Sequence, residues 1–502
     1  MDANVLNAGA IPRVPAIHWK ARAAALLHRR AGYILASLLL LAPCFWQPRL
    51  QAGDLSSHIY NAWLAQLIES GRTQGLVIVR QTTNILFDLI LAGLFRIVGA
   101  EAAQRIAVST AVLVFIWGAF AFIWTVSGRR PWHLLPCIAM FAYGWVFHMG
   151  FFNFYLSIGL CFWGLTLVWN MRPRQIAAAV PVFILAYVAH ALPVVWMGGL
   201  VLYLFVARRV RALHRIFLTS GLVMALGAFH AYLSRTLVTR WSPAQITMTT
   251  GLDQVWIFDT KYYIVLMGLL AVWGLLFLSL LRSSGARRVI GGIPFQLCVI
   301  GAAGVFILPS TVLIPGFSHA LSYIAERMSL GVAICVCAVL GSARPRVLER
   351  WLLAVIAVIF FAFIYHDERA LNSFEDRMQD VVSMLPPGQR VVSPIWDLDL
   401  RINALNHMID RVCVGRCYSY GNYEASTAQF RIRAVAPNPY VASTYAQSWY
   451  IQTGAYVVKS RDLPLYKVDV DSDGRILIKT LKAGVPCGST TWKTLKNWMP
   501  NS

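Results

Sequence analysis

The sequence predicts an all-α polytopic membrane protein, with about eleven transmembrane helices and a small extracytoplasmic α/β domain at its carboxyl end. The 502 residues are 58% hydrophobic and only 13% charged, which is too little charge to cover the surface of a soluble protein of this length. Long apolar runs recur over the first three quarters of the chain, and the sequence becomes polar from about residue 366.

The chain begins with a basic segment, 1–30, which predicts a cytoplasmic tail before an uncleaved first span. No small-residue cleavage site follows the first apolar run, as a secretion signal would require. The transmembrane domain is predicted to cover 31–365. Its spans are predicted at 31–47, 82–99, 106–127, 132–150, 154–170, 176–206, 213–232, 261–281, 289–309, 327–342 and 350–365.

The excess of positive charge indicates orientation in a membrane. Much of the net charge of +22 lies in short clusters between apolar runs, such as 282-RSSGARR-288 and 342-SARPRVLER-350. Because Lys and Arg near span ends stay in the cytoplasm, this distribution predicts no nucleic-acid partner. Eleven crossings from a cytoplasmic amino terminus place the carboxyl domain outside, and both clusters then lie inside.

The centre of this topology conflicts with the charge rule. On a count of eleven, the clusters 128-GRRPWH-133 and 171-MRPR-174 fall outside. The run 176–206 is also long for one crossing of about 20 residues, and 190-HALP-193 could split it into a hairpin. Splitting it makes the number of crossings even, so the prediction keeps one span there and leaves the number of spans between 128 and 207 open.

The remaining segments are predicted to lie outside the cytoplasm. The outer loops are 48–81, 233–260 and 310–326. The extracytoplasmic domain is 366–502, long enough for its own small core. Its predicted elements are a helix at 370–384 and strands within 389–396, 454–460 and 475–481.

Three cysteines lie in this polar region: Cys413, Cys417 and Cys487. Outside the cytosol, one pair of them is expected to form a disulfide. Both a short link from Cys413 to Cys417 and a link from one of these to Cys487 remain open.

The first outer loop carries a polar stripe. In 51-QAGDLSSHIYNAWLAQLIESG-71, a helix would place Asp54, His58 and Asn61 within an arc of about 60°. Such a helix would lie at the outer membrane surface with the stripe facing water or a cavity. The alternative is that Asp54 only caps its helix, since Gly-Asp is an ordinary helix start.

This loop resembles that of the GT-C superfamily of membrane glycosyltransferases. The segment GDLSSHIYNAWLAQLIESG is similar to the G-D-x-x-x-H pattern of bacterial members, which precedes a short helix ending in Gly. The following 83-TNILFDLILAGLFRIVGAEAAQRI-106 is similar to their second span. The resemblance implies transfer of a sugar from a polyprenyl-phosphate donor to an extracytoplasmic glycan, lipid or protein, in a bacterial inner (plasma) membrane.

The resemblance also implies roles for particular residues. Asp54 would be the catalytic base that orients or deprotonates the acceptor hydroxyl, and His58 would assist it or bind phosphate. Arg80 and Arg327, at predicted outer span ends, are candidates for the phosphate, although Arg327 could instead pair with the adjacent Glu326. Two further candidates for substrate binding are Asn61 on the polar stripe and His319 in the third outer loop.

No cofactor is required by these residues, and a divalent metal ion is compatible with the chemistry, although no metal ligands are predicted. The segment 469-DVDSDGRILIKT-480 begins like a calcium loop but has Thr480 where such a loop has a bidentate Glu. A hairpin turn is therefore favoured there. Two other functional classes also fit the hydropathy, a transporter or lipid flippase and a non-catalytic membrane scaffold.

Overall fold

The computed structural model describes residues 31–427, 429–435 and 438–491, so the predicted cytoplasmic tail 1–30 lies outside the described residues. The described chain is mostly helical, with several small sheets. It divides into two compact units, Met1–Pro43 and Cys44–Ser502. All elements after the first helix belong to the second unit.

The helices are α1 Ala31–Cys44, α2 Leu55–Glu69, α3 Leu86–Ser127, α4 Leu135–Ala142, α5 Trp145–His148, α6 Phe152–Val168, α7 Pro173–Ala189, α8 Ala191–Ala207, α9 Ala212–Thr236, α10 Gln245–Met248, α11 Tyr263–Ser284, α12 Ala286–Ile290, α13 Ile293–Ile307, α14 Ile324–Leu340, α15 Val347–Ser383, α16 Met408–Val412, α17 Glu424–Thr427 and α18 Tyr445–Gln452. The strands are β1 Leu76–Ile78, β2 Val238–Arg240, β3 Thr311–Leu313, β4 Arg390–Val392, β5 Ile395–Trp396, β6 Tyr418–Ser419, β7 Ile432–Ala434, β8 Leu465–Val470, β9 Ile476–Thr480 and β10 Thr490–Thr491.

Long apolar helices indicate a membrane protein. Among the described residues, four helices rather than eleven are both long and apolar enough to cross a bilayer: α3, α9, α11 with its preceding turn, and α15. Five shorter helices are also apolar: α1, α6, α7, α8 and α13.

The predicted span 82–99 is not a separate crossing. It forms the first part of α3, which is interrupted at Gly99 by a positive φ of 77°. The part before Gly99 is about 20 Å long, too short for a hydrocarbon core of about 30 Å. It packs beside α2, where His58 pairs with Asp88 and Glu69 pairs with Arg96. This segment therefore belongs with the outer-loop helix.

The predicted single span 176–206 is instead two helices, α7 and α8. They meet at His190, whose backbone is extended (φ −165°, ψ 129°). The Arg208 guanidinium after α8 lies 5.5 Å from the ring centre of Trp169, which precedes α7. The His190 ring lies 5.6 Å from Phe154, at the other end of α6. The chain therefore reverses direction at His190, and the two helices form a hairpin.

With these two changes to the predicted topology, the basic clusters between the helices all lie at one end of the helices. A Cβ added at Gly341 would lie 3.2 Å from Ser127, and one added at Gly291 would lie 3.6 Å from Ala212. The Trp169 ring, beside Arg208, is also 5.9 Å from Phe122 near the end of α3. The loops that meet there contain the clusters 128–133, 171–174, 207–215, 282–288 and 342–350.

The carboxyl-terminal region contains the predicted small α/β core. Its sheet has the order β6-β4-β8-β9, in which β4 is parallel to β6 and β8, and β8 is antiparallel to β9. Val392, Ile451, Val458 and Leu465 are buried in the adjoining core. The predicted domain boundary at 365/366 falls inside α15, which continues without a break to Ser383.

The β8–β9 connection is a tight turn, as favoured over a calcium loop. The Asp471 carboxylate accepts hydrogen bonds from the backbone N–H groups of Asp473 (2.9 Å) and Arg475 (2.8 Å). Gly474 supplies the positive φ of 76° that the turn requires.

A buried hydrogen bond and a pair of short strands join the carboxyl-terminal region to the predicted first outer loop. The Arg411 guanidinium donates to both carboxylate oxygens of Glu375 on α15, at 2.8 and 2.6 Å, and to the Leu50 carbonyl at 2.7 Å. Strand β1 of the first outer loop pairs antiparallel with β7. The disulfide joins Cys413 to Cys417, and Cys487 is a buried free thiol. The Arg411–Leu50 hydrogen bond and the pairing of β1 with β7 hold the region over one end of the helices.

Candidate functional site

The backbone fixes the start of α2 against the turn that precedes α6. The N–H groups of Gly53 and Asp54 donate to the carbonyls of His148 (2.7 Å) and Met149 (3.0 Å). Gly150 has a φ of +83°, and a Cβ added to it would lie 2.8 Å from the Leu55 nitrogen. Only glycine fits this close approach without strain. Gly150 and the two backbone hydrogen bonds therefore fix the position of Asp54.

The Asp54 carboxylate is not used as a helix cap. Asp54 occupies the N-cap position of α2, but its side chain accepts no capping hydrogen bond. Its side chain is 22% exposed, and its nearest ionisable partner is His407, with Nε2 3.7 Å from the carboxylate. The alternative interpretation of Asp54 as a simple cap therefore does not describe its geometry.

Asp54 lines a cavity of about 1060 Å³ at the end of the helices opposite the basic clusters. Three other residues proposed from the sequence line the same cavity: His58, His319 and Arg327. The remaining two do not line it. Arg80 follows β1 and is exposed. Asn61 is buried, and its amide donates to the Ser57 carbonyl one turn earlier on α2 at 2.9 Å.

His58 is paired with Asp88 rather than with Asp54. Its Nδ1 lies 2.6 Å from the Asp88 carboxylate, whose second oxygen accepts from Asn153 at 2.7 Å. Burial alone would lower the pKa of His58, but the charge and hydrogen bond of Asp88 outweigh it and raise the pKa to about 9. At neutral pH His58 is thus a hydrogen-bonded cation at the cavity wall.

Removing Asp88 is expected to destabilise the protein in a pH-dependent way. A pKa raised from 6.5 to about 9 contributes stability that is complete below pH 6.5 and lost as the pH rises through 9. At about 1.4 kcal/mol per unit, this amounts to roughly 3 kcal/mol. Thermal unfolding of Asp88→Asn and wild type should therefore differ most below pH 6.5 and converge above pH 9. A difference that does not change with pH would contradict the pairing.

Arg327 is a cation with no carboxylate partner among the described residues. Its guanidinium lies 3.9 Å from the ring centre of Phe151, and one nitrogen lies 3.5 Å from His190 Nε2. Its Nε has no hydrogen-bond partner in the described chain. The adjacent Glu326 accepts a hydrogen bond from Ser310 at 2.5 Å instead. A half-buried guanidinium without a carboxylate partner in the described chain is costly unless an anion binds it.

Arg240 is a second cation at this cavity. It ends β2, which pairs with β3 of the third outer loop, and it is exposed at the cavity lining. No sequence pattern pointed to it, because a single Arg in a long loop is ordinary. The pairing of β2 with β3 brings it to the same cavity as Arg327.

The carboxyl-terminal region supplies the opposite wall. The Nδ1 of His407 lies 3.2 Å from Asp410, and Asp410 also accepts from the Ser419 hydroxyl. Burial would lower the pKa of His407, but its hydrogen bond to Asp410 and the nearby carboxylates raise it. The Tyr423 ring packs against His407 (5.1 Å) and stacks on His319 (6.1 Å). The contact of Tyr423 with His319 joins residues far apart in the chain, so it carries no local signal in the sequence.

A second cavity, of about 830 Å³, lies between α8, α9, α13 and α14 and has an almost entirely apolar lining. Ile324, Ala325 and Met328 line it on α14, directly beside Glu326 and Arg327 in the chain. At the opposite end it reaches Val206 and Phe217, next to the basic cluster 207–215. An apolar cavity therefore runs along the helices from the level of Arg327 toward the basic end.

The described residues contain no group of three or more His, Cys, Asp or Glu side chains arranged to hold a metal ion. No family model, no curated protein and no solved structure matches this chain. The site's chemistry is therefore interpreted from its own residues.

Proposed function

We propose that this protein is a membrane glycosyltransferase of the GT-C type, which moves a sugar from a polyprenyl-phosphate donor to an extracytoplasmic acceptor. One observation carries the proposal. A single cavity contains a carboxylate that does not cap its own helix, Asp54, and a cation, Arg327, that has no carboxylate partner in the part of the chain that the structure describes. A base for the acceptor and a counter-charge for the phosphate are the two groups that this transfer requires.

The proposed topology has eleven crossings with the carboxyl-terminal region outside the cytoplasm of a bacterial inner membrane. In this proposal, ten helical segments within Cys44–Ser502 run alternately between the end with the cavity and the end with the basic clusters: α3 after Gly99, α4 with α5, α6, α7, α8, α9, α11, α13, α14 and α15. The sequence-predicted span 31–47 is the eleventh. The loss of 82–99 as a crossing and the gain of one at His190 leave the total unchanged, and every basic cluster then obeys the positive-inside rule.

Labelling of single cysteines tests this orientation. Ser472 and Ser342 are both exposed, one in the carboxyl-terminal region and one in a basic loop. In intact cells, a membrane-impermeant maleimide should label Ser472→Cys and leave Ser342→Cys unlabelled until the membrane is permeabilised. The reverse pattern would overturn the topology.

In this proposal, charged residues and an apolar cavity bind the two ends of the donor. In the proposal, Arg327 and Arg240 bind its phosphate, because hydrogen bonds to charged groups are the strong ones. The isoprenoid chain occupies the apolar cavity between α8, α9, α13 and α14, whose lining begins beside Arg327. This arrangement keeps the lipid in the bilayer and presents the sugar to Asp54.

The transfer then follows from the residues around the sugar. The acceptor oxygen attacks the anomeric carbon, the bond from that carbon to the phosphate oxygen breaks, and the acceptor proton passes to Asp54. Negative charge grows on the departing polyprenyl phosphate, where Arg327 stabilises it. His58, protonated by its pairing with Asp88, is a fixed positive charge rather than the base.

A transfer assay tests the proposal. Purified protein in lipid nanodiscs is incubated with a panel of undecaprenyl-phosphate hexoses and pentoses and with cell-envelope glycans, lipids and peptides as acceptors. The expected result is a mass-spectrometric product that carries one added sugar. Release of no sugar from any donor, or movement of a labelled lipid across vesicles without transfer, would contradict it.

A further inference from the structure

The short helix α18 has two faces with different surroundings. Ser448 and Ile451 are buried, and Ile451 belongs to the core beside the sheet. Tyr445, Trp449 and Gln452, spaced four and three residues apart, lie on another face and line the cavity. The Trp449 side chain is 48% exposed there. Core packing thus explains one face of α18 and leaves the aromatic face unexplained.

Several side-chain amide atoms without a hydrogen-bond partner in the described chain lie on the same cavity wall. Neither amide atom of Asn403 has a hydrogen-bond partner within the described chain, and the Asn406 carbonyl oxygen likewise has none. Both residues line the cavity. Leaving a buried polar group without a hydrogen bond is costly, so these amides are suited to a ligand that supplies hydroxyl groups.

The wall is held rigidly by the carboxyl-terminal region. The Trp396 indole N–H donates to the Gln452 carbonyl at 2.7 Å, and the Ser448 hydroxyl donates to the Gly421 carbonyl at 2.7 Å. The side chain of Asn406 reaches Gln452 at 3.4 Å. Rigid aromatic and amide groups lose little conformational entropy when a ligand binds.

Charge on this wall differs from charge on the membrane side of the cavity. The unpaired cations Arg327 and Arg240 lie in α14 and β2, away from the carboxyl-terminal region in sequence. Arg401, which also lines the cavity, is bound to Asp253 and to the carbonyls of Asp253 and Trp256. Among the described residues of this wall that line the cavity, no guanidinium is free for an anionic ligand.

From these observations we infer that α18 and the Asn403–Asn406 segment form an acceptor subsite for a neutral saccharide, an inference that rests on the proposed function. Aromatic ring faces pack against the C–H faces of sugar rings, and side-chain amides pair with their hydroxyls. The acceptor enters from the carboxyl-terminal side, opposite the arginines that bind the donor phosphate. Asp54 then lies between the two substrates.

Trp449→Ala tests this subsite, with Tyr450→Ala as a matched control. Tyr450 is the next residue on α18, is 50% exposed, and does not line the cavity. In the transfer assay, Trp449→Ala should raise the KM for a saccharide acceptor roughly ten-fold and leave the KM for the donor unchanged. Tyr450→Ala should leave both constants unchanged. Equal effects of the two substitutions would overturn the subsite.

A binding measurement separates this inference from the proposed function. Wild-type protein is applied to an array of neutral and acidic glycans, without any donor. The subsite predicts binding of neutral glycans that Trp449→Ala abolishes and Tyr450→Ala retains. Such binding in a protein that transfers no sugar would refute the transferase and keep the subsite. No bound glycan, or binding of acidic glycans alone, would refute the subsite.

Discussion

Asp54→Asn is expected to lower the kcat of sugar transfer by about 10²–10⁴-fold, the usual contribution of a general base. Asparagine has the same shape but cannot accept the acceptor proton. The Asp54 side chain caps nothing and its backbone bonds are kept, so the melting temperature should stay close to that of wild type. The measurement is kcat with a fixed donor and acceptor, together with thermal unfolding of each variant.

The matched control is Glu69→Gln at the other end of α2. Glu69 is a partly exposed carboxylate paired with Arg96, and it does not line the cavity. Its substitution should change kcat by less than two-fold, as expected for an exposed ion pair. If Asp54→Asn transfers sugar at the wild-type rate, Asp54 is not the base, whatever Glu69→Gln does.

Arg327→Gln is expected to weaken donor binding by about 10- to 100-fold, because a hydrogen bond to a charged group contributes about 1.5–3 kcal/mol. The loss should appear in the Kd for undecaprenyl phosphate, measured with a radiolabelled lipid in nanodiscs. Arg327→Lys keeps the positive charge but lacks the planar guanidinium that can donate two hydrogen bonds at once. It should therefore recover part of the affinity for undecaprenyl phosphate. The acceptor KM should change little.

Arg80→Gln is the control for this substitution. The sequence placed Arg80 and Arg327 at similar outer positions, but the structure brings only Arg327 to the cavity and leaves Arg80 exposed after β1. Its removal should leave the Kd for undecaprenyl phosphate unchanged. Equal losses for both arginines would indicate a general surface attraction to anionic lipid rather than a phosphate site.

The sequence predicted secondary structure well where neighbouring residues alone determine it. Gly-Asp before an amphipathic stretch predicted α2, and hydropathy predicted apolar helices at most of the expected positions. Alternation predicted β4 and β9, whereas the predicted strand at 454–460 is a loop that ends at a 3-10 helix beginning at Ser460. Hydropathy could not separate a crossing from an outer helix at 82–99, because the break at Gly99 depends on how the chain packs beside α2.

The cavity is formed by contacts between residues far apart in the chain, which local sequence patterns do not predict. Asp54 and His407 are far apart in the chain and meet because Arg411 and β7 bind the carboxyl-terminal region to the first outer loop. Asp88 lies within the predicted span 82–99, and its pairing with His58 follows only from the packing of α3 against α2. Apolar periodicity gave no sign that α18 presents Trp449 to a cavity.

A structure of the protein bound to undecaprenyl phosphate is the most direct test of the proposed donor site. We expect the phosphate within hydrogen-bonding distance of the Arg327 guanidinium, in the cavity that contains Asp54. We also expect the isoprenoid chain between α8, α9, α13 and α14. A phosphate bound at the basic end of the helices, or an isoprenoid chain outside that apolar cavity, would contradict it.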